Sequence, residues 1–70
     1  MKKFSSIEEA FEWWLKNIYP ALPADVKVGK YLNGWRDFTY NKGISHKRMK
    51  DILSDFGDVD EKTLITFKLK

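Results

Sequence analysis

Seventy residues leave room for one hydrophobic core, so positions 1–70 are read as a single small domain. The chain has no cysteine and one histidine, which excludes disulfides and thiolate metal sites and leads us to expect neither metal nor cofactor. Three Trp, three Tyr and five Phe supply large rings for that core, and the formal net charge is +3. The charge is unevenly spread. Residues 26–57 carry seven basic and three acidic side chains, whereas 1–25 carry three and four and 58–70 carry three of each. A polyanion would therefore be drawn to the middle of the chain. Met1-Lys2-Lys3-Phe4 leads into acidic residues and no apolar run approaches the roughly 20 residues of a membrane span, so a cytoplasmic protein without membrane contact is expected.

The first helix is announced by Ser5 and Ser6, each with a glutamate three residues on (Glu8, Glu9), so either serine fits a capping box. Ile7, Ala10, Phe11, Trp14, Leu15 and Ile18 then fall on one helical face. Pro20 disfavours helix at Tyr19, where this element should stop. The second helix is expected from about Asp25, or a turn later, with Val28, Tyr31, Leu32, Trp35 and Phe38 or Thr39 inward. Val26-Lys27-Val28 is alternatively a short strand. Gly29 and Gly34 weaken this helix by roughly 1 kcal/mol each relative to alanine, and their bareness would allow another element close. Asn41-Lys42-Gly43 should end it, with Asn or Gly left-handed.

The third helix has the strongest local marks: Ser45 as N-cap, Ile44 and Met49 as a hydrophobic staple, Met49, Ile52, Leu53 and Phe56 as the buried stripe, and Gly57 as its close. Two helices joined by a short glycine-containing turn form a helix-turn-helix. Beyond the polar run Asp58-Val59-Asp60-Glu61-Lys62, Ile65, Phe67 and Leu69 alternate with Thr66, Lys68 and Lys70, which predicts a strand. Its partner would be Val26–Val28 or a short arm near Val59. The expected fold is mainly α: three helices with a C-terminal β-strand or short wing, and Trp14, Leu15, Trp35, Phe38, Leu53, Phe56 and Phe67 in the core.

His46, Lys47, Arg48 and Lys50 crowd the start of the third helix, where cations oppose the helix dipole and so call for a use beyond helix stability. In a helix-turn-helix that turn meets base edges in the major groove. Lys30, Arg36, Lys42 and Lys68 would touch phosphates. A solvated charged face is the plain alternative for all of them, and Lys27, Lys62 and Lys70 are read the same way. Trp13, Tyr19 and Tyr40 either flank the core or offer rings to unpaired bases or to a protein. No nucleophile with an adjacent base, no Gly-rich phosphate loop and no EF-hand occurs, so catalysis is not expected.

Tyr31, Trp35, Gly43, Ser45, Leu53, Gly57 and the terminal Thr66-Phe67-Lys68-Leu69-Lys70 carry a resemblance. In their order and spacing, residues 28–70 resemble the C-terminal winged-helix domain of phage and plasmid primase-helicases of the poxvirus D5-like type. The resemblance implies a winged-helix fold and a phage or mobile-element setting. It departs from the family in its short wing and in lacking an attached helicase domain. The function expected is double-stranded DNA binding by a small regulator or replication accessory. The alternative is a protein-interaction module, engaging a host protein or a second copy of itself through the acidic first helix (Glu8, Glu9, Glu12) and exposed aromatics.

Overall fold

The structure, a computed structural model, describes residues 2–41, 43–61 and 64–69. Strand β1 (Lys2–Phe4) leads into helix α1 (Ile7–Asn17), a 3-10 turn at Tyr19–Ala21, helix α2 (Lys30–Arg36) and a wide π-helical turn at Asp37–Asn41. Helix α3 (His46–Ser54) follows, then strands β2 (Gly57–Glu61) and β3 (Ile65–Leu69). The strands form one antiparallel sheet in the order β1-β3-β2. The protein is thus a small domain of three helices and a three-stranded sheet.

Local chemistry accounts for α1 and α3. Ser6 caps α1 by accepting from the Glu9 N–H at 3.2 Å, while the Ser5 N–H donates to the Glu9 carboxylate at 3.0 Å, a capping box displaced by one residue. Ser45 caps α3 by accepting from the Arg48 N–H at 3.2 Å. Each cap is worth about 1 kcal/mol. Ile44 packs against the core beside fully buried Met49, as the staple requires.

The core is Ile7, Ala10, Phe11 and Trp14 of α1, Met49, Ile52 and Leu53 of α3, and Phe67 of β3. Leu15, Phe38 and Phe56 are partly buried against it. Gly34 is buried because α2 lies against α3: a Cβ there would come within 2.7 Å of Ile52 Cδ1. That close approach is what its missing side chain permits.

Several expected features are corrected. Helix α2 takes the later of its two expected starts, a turn beyond Asp25, which itself lies in a turn closed by the Val26 and Lys27 N–H groups on the Pro23 carbonyl. It starts at Lys30, after Gly29 takes φ 64°, a conformation that L side chains resist. Val26–Val28 is not a strand, and Val28 is 60 % exposed, not core. Regular α2 ends at Arg36 and widens over Asp37–Asn41, where the Asn41 amide donates to the Asp37 carboxylate at 3.1 Å. Neither Gly43 nor Gly57 is left-handed; Gly29 alone has a positive φ among the described glycines. Gly57 does not close α3. It opens β2, where its bareness lets β3 pass.

The expected terminal strand is real, and it is the central strand of the sheet. The arm near Val59 is its neighbour β2, and β1 completes the other edge. Directly paired residues share a face. Phe4, Val59, Ile65 and Phe67 therefore point toward the helices, and Lys3, Asp58, Asp60, Thr66 and Lys68 line the outer face.

Candidate nucleic-acid interface

Helix α3 buries one stripe and exposes the rest. Met49, Ile52 and Leu53 are buried, while His46, Lys47, Arg48, Lys50, Asp51 and Ser54 remain in solvent. Lys47, Arg48, Lys50, Asp51 and Ser54 border a shallow hollow of about 490 Å³ on that outer side.

The cations of this helix are mostly matched by carboxylates that the fold brings from elsewhere. Arg48 Nη1 donates to Asp37 Oδ2 at 2.7 Å, tying the first turn of α3 to the wide turn after α2. Glu61, at the end of β2 and on the helix-facing side of the sheet, takes Lys50 Nζ at 2.9 Å and His46 Nε2. Lys30 Nζ sits between Asp51 (2.7 Å) and Asp55 (2.8 Å), and the Tyr31 hydroxyl donates to the same Asp55 oxygen at 2.9 Å. Three strong cations in and around α3 (Lys30, Arg48, Lys50) thus meet four carboxylates (Asp37, Asp51, Asp55, Glu61). Of the seven cations in residues 26–57, Lys30, Arg48 and Lys50 are therefore paired at this face.

The titration behaviour follows. The Arg48 guanidinium, helped by the Asn41 amide, holds the Asp37 carboxyl below its ordinary range. Lys50, then His46, does the same for Glu61. Lys30 is held above the ordinary lysine range by Asp51 and Asp55. Burial raises Tyr31, and its bond to Asp55 adds to that.

A depressed carboxyl stabilises the fold above its unfolded value and ceases to do so as pH falls through the folded value. We therefore expect the melting temperature to drop as pH falls below about 4.5, the ordinary value for Glu61, and further below 3.8, that for Asp37. Asp37→Asn and Glu61→Gln should each flatten this acid limb in melting curves taken from pH 7 to pH 3. A limb as steep in both variants as in the parent would show that these pairs do not link the elements.

The other expected phosphate contacts are scattered. Arg36 is exposed on the last turn of α2 and makes no ion pair among the described residues. Lys68 lies on the outer face of the sheet opposite Asp58, not beside α3. Lys42, Lys62 and Lys70 lie outside the described residues. Lys47 is the cation of α3 without an ion pair among the described residues.

Comparison with protein-family models, curated proteins and solved structures returned no match. No helix among the described residues is long and apolar enough to cross a membrane. No group of three or more His, Asp or Glu among them is placed to hold a metal ion.

Two features of this surface leave no mark in the sequence. The carboxylate partners Asp37, Asp51, Asp55 and Glu61 were visible only as separate charges, because through-space pairing across 11 to 25 positions leaves no periodic trace. The second feature is a row of rings. Trp35, expected in the core, is only half-buried; it lies parallel to Tyr19 at 6.3 Å between centroids and takes Tyr40 edge-on at 5.4 Å.

Proposed function

We propose that this chain is a small, non-enzymatic winged helix-turn-helix module that lays α3 against double-stranded DNA with the β2–β3 hairpin beside it. One observation carries the reading. The second helix of the helix-turn-helix is buried only along Met49, Ile52 and Leu53, leaving its polar strip in solvent next to a β-hairpin. Such a helix enters the major groove in DNA-binding proteins of this plan. The hairpin also supports the likeness to D5-like primase-helicase winged helices, since it supplies a first wing strand at Gly57–Glu61. A phage or mobile-element regulator, or a replication accessory, belongs to the same proposal.

The carboxylates tune this activity without precluding it. Exposed ion pairs are worth about 0–1 kcal/mol each, so phosphates can compete for Arg48 and Lys50. Lys47, without an ion pair among the described residues, makes the first contact, and Glu61 and Asp37 hold affinity down. Binding should be moderate and steeply salt-dependent, because released counterions drive it.

The test is fluorescence anisotropy on a labelled duplex of about 20 base pairs at about 50 mM and about 200 mM NaCl. The parent should bind at low salt and weaken at the higher. Lys47→Glu/Lys50→Glu should abolish binding, whereas Glu61→Gln, which releases Lys50 and His46, should strengthen it several-fold. Absence of binding at low salt, or an affinity indifferent to charge reversal, would remove the DNA reading.

A second reading rests on a different place. Phe38, Ile44 and Met49 floor a hollow of about 360 Å³ whose rim carries Glu8 and Glu12. An apolar floor with an acidic rim suits a basic amphipathic segment of a partner protein. Binding of such a segment in place of DNA, weakened by Glu8→Lys, would favour this reading.

A further inference from the structure

A row of side chains runs across the surface formed by the Tyr19–Ala21 turn and the end of α2. Lys27 Nζ lies 5.4 Å over the Tyr19 ring, and the parallel Trp35 ring and edge-on Tyr40 complete it. Each member is positioned by the backbone. Pro20 stiffens the turn that carries Tyr19, whose ring leans on buried Trp14 at 5.6 Å. Lys27 is fixed by donating to the Pro20 carbonyl at 3.0 Å. Trp35 and Tyr40 are five positions apart, a spacing that splays side chains in an α-helix. The i→i+5 geometry of the wide turn brings them to one side, and such turns concentrate at functional sites.

We propose that Tyr19, Trp35 and Tyr40, with Lys27 over Tyr19 and Arg36 next to Trp35 in the chain, form a stacking platform for the unpaired bases of a single-stranded nucleic acid. Tyr40 is the most exposed large apolar residue described, at 69 %, so a ring face is open to a ligand. Charge selects the class of ligand. Lys27 and Arg36 make no ion pair among the described residues, and Asp37, which feels the charge of neighbouring Arg36, takes its hydrogen bonds from Arg48 and Asn41. A row of rings with a cation at its end fits bases and phosphates together. A proline-rich peptide would use the rings and leave both cations idle. A duplex offers no open base faces to them. No ring of this row belongs to α3 or to the hairpin, so the platform stands independently of the duplex-binding proposal.

The experiment is anisotropy of labelled oligomers of about twelve nucleotides, oligo(dT) and oligo(rU), with the whole chain at low salt. The parent should bind at least one of them and lose affinity as salt is added. Tyr40→Ala should weaken binding about tenfold, and Arg36→Glu comparably, with unchanged melting temperatures because both side chains are exposed. Lys47→Glu/Lys50→Glu should leave oligomer binding in place. Tighter binding of oligo(dT) assigns the platform to DNA and of oligo(rU) to RNA. Failure of both oligomers to bind, or binding that survives Tyr40→Ala and Arg36→Glu, overturns the proposal. So does capture of a proline-rich peptide without capture of either oligomer.

Discussion

Trp14→Ala is expected to lower the unfolding free energy by about 3–5 kcal/mol, the range for truncating a buried aromatic. A domain of this length is stable by only roughly 4–10 kcal/mol, so the variant should be partly or wholly unfolded at room temperature. Trp14 is fully buried, and its ring meets Phe11 at 5.5 Å, Tyr19 at 5.6 Å, Tyr31 at 5.9 Å and Phe56 at 5.4 Å. Those rings come from α1, the following turn, α2 and the turn after α3, so one cavity would loosen packing among all three helices. Urea denaturation followed by far-ultraviolet circular dichroism measures the loss. Trp14→Phe is the informative companion. Trp14 Nε1 is buried with no acceptor among the described residues, and an orphaned buried donor costs about 1–3 kcal/mol. Removing that donor offsets much of the lost packing, so the phenylalanine variant should lie within about 1.5 kcal/mol of the parent. A phenylalanine variant as damaged as the alanine one would mean that the indole's N–H is satisfied after all.

The second large effect is expected at a residue with no side chain. A Cβ on Gly57 would fall on the carbonyl oxygen of Lys68 and within 2.9 Å of the Lys68 carbonyl carbon and Phe67 Cε1. The obstacle is backbone of the central strand, held in register by its ladder to β2, so it cannot yield as a side-chain tip would. Gly57→Ala should cost about 2–3 kcal/mol. For a domain of this size that lowers the melting temperature by about 10 °C or more. Gly34→Ala is the contrast. Its Cβ would meet the tip of Ile52 at 2.7 Å and Phe11 Cζ at 3.4 Å, which are side-chain atoms able to give way. Alanine also gains about 1 kcal/mol of helix propensity, so this variant should stay within about 1 kcal/mol of the parent. Equal melting of Gly57→Ala and the parent would show that β2 and β3 can separate at this end without loss.

Trp14 and Gly57 stand for two kinds of cause in this fold, one local in the chain and one not. The stripe of α1 ending in Trp14, the caps at Ser6 and Ser45, the staple of Ile44 and Met49 and the alternation Ile65-Phe67-Leu69 are all legible in the chain. Each rests on interactions within about four residues or on a strict period. Strand β1 was not legible because three residues, Lys2–Phe4, are too few to show a period of two. Strand β2 was faint because its inward positions are Gly57, Val59 and Glu61, of which only one is apolar. Of the two starts open for α2, only the structure selects the later, because Gly29 is the left-handed residue from which the helix begins.

The candidate site divides along the same line. By itself the sequence determined the third helix, its buried stripe and the identity of its exposed cations, since spacing and capping are properties of neighbouring residues. Only the tertiary structure decided that Arg48, Lys50 and Lys30 face Asp37, Glu61, Asp51 and Asp55, and that Tyr19, Trp35 and Tyr40 share one surface. The physical reason is range. Charges and rings interact through space, and what each one meets depends on how α2, α3 and the sheet pack, not on what stands beside it in the chain.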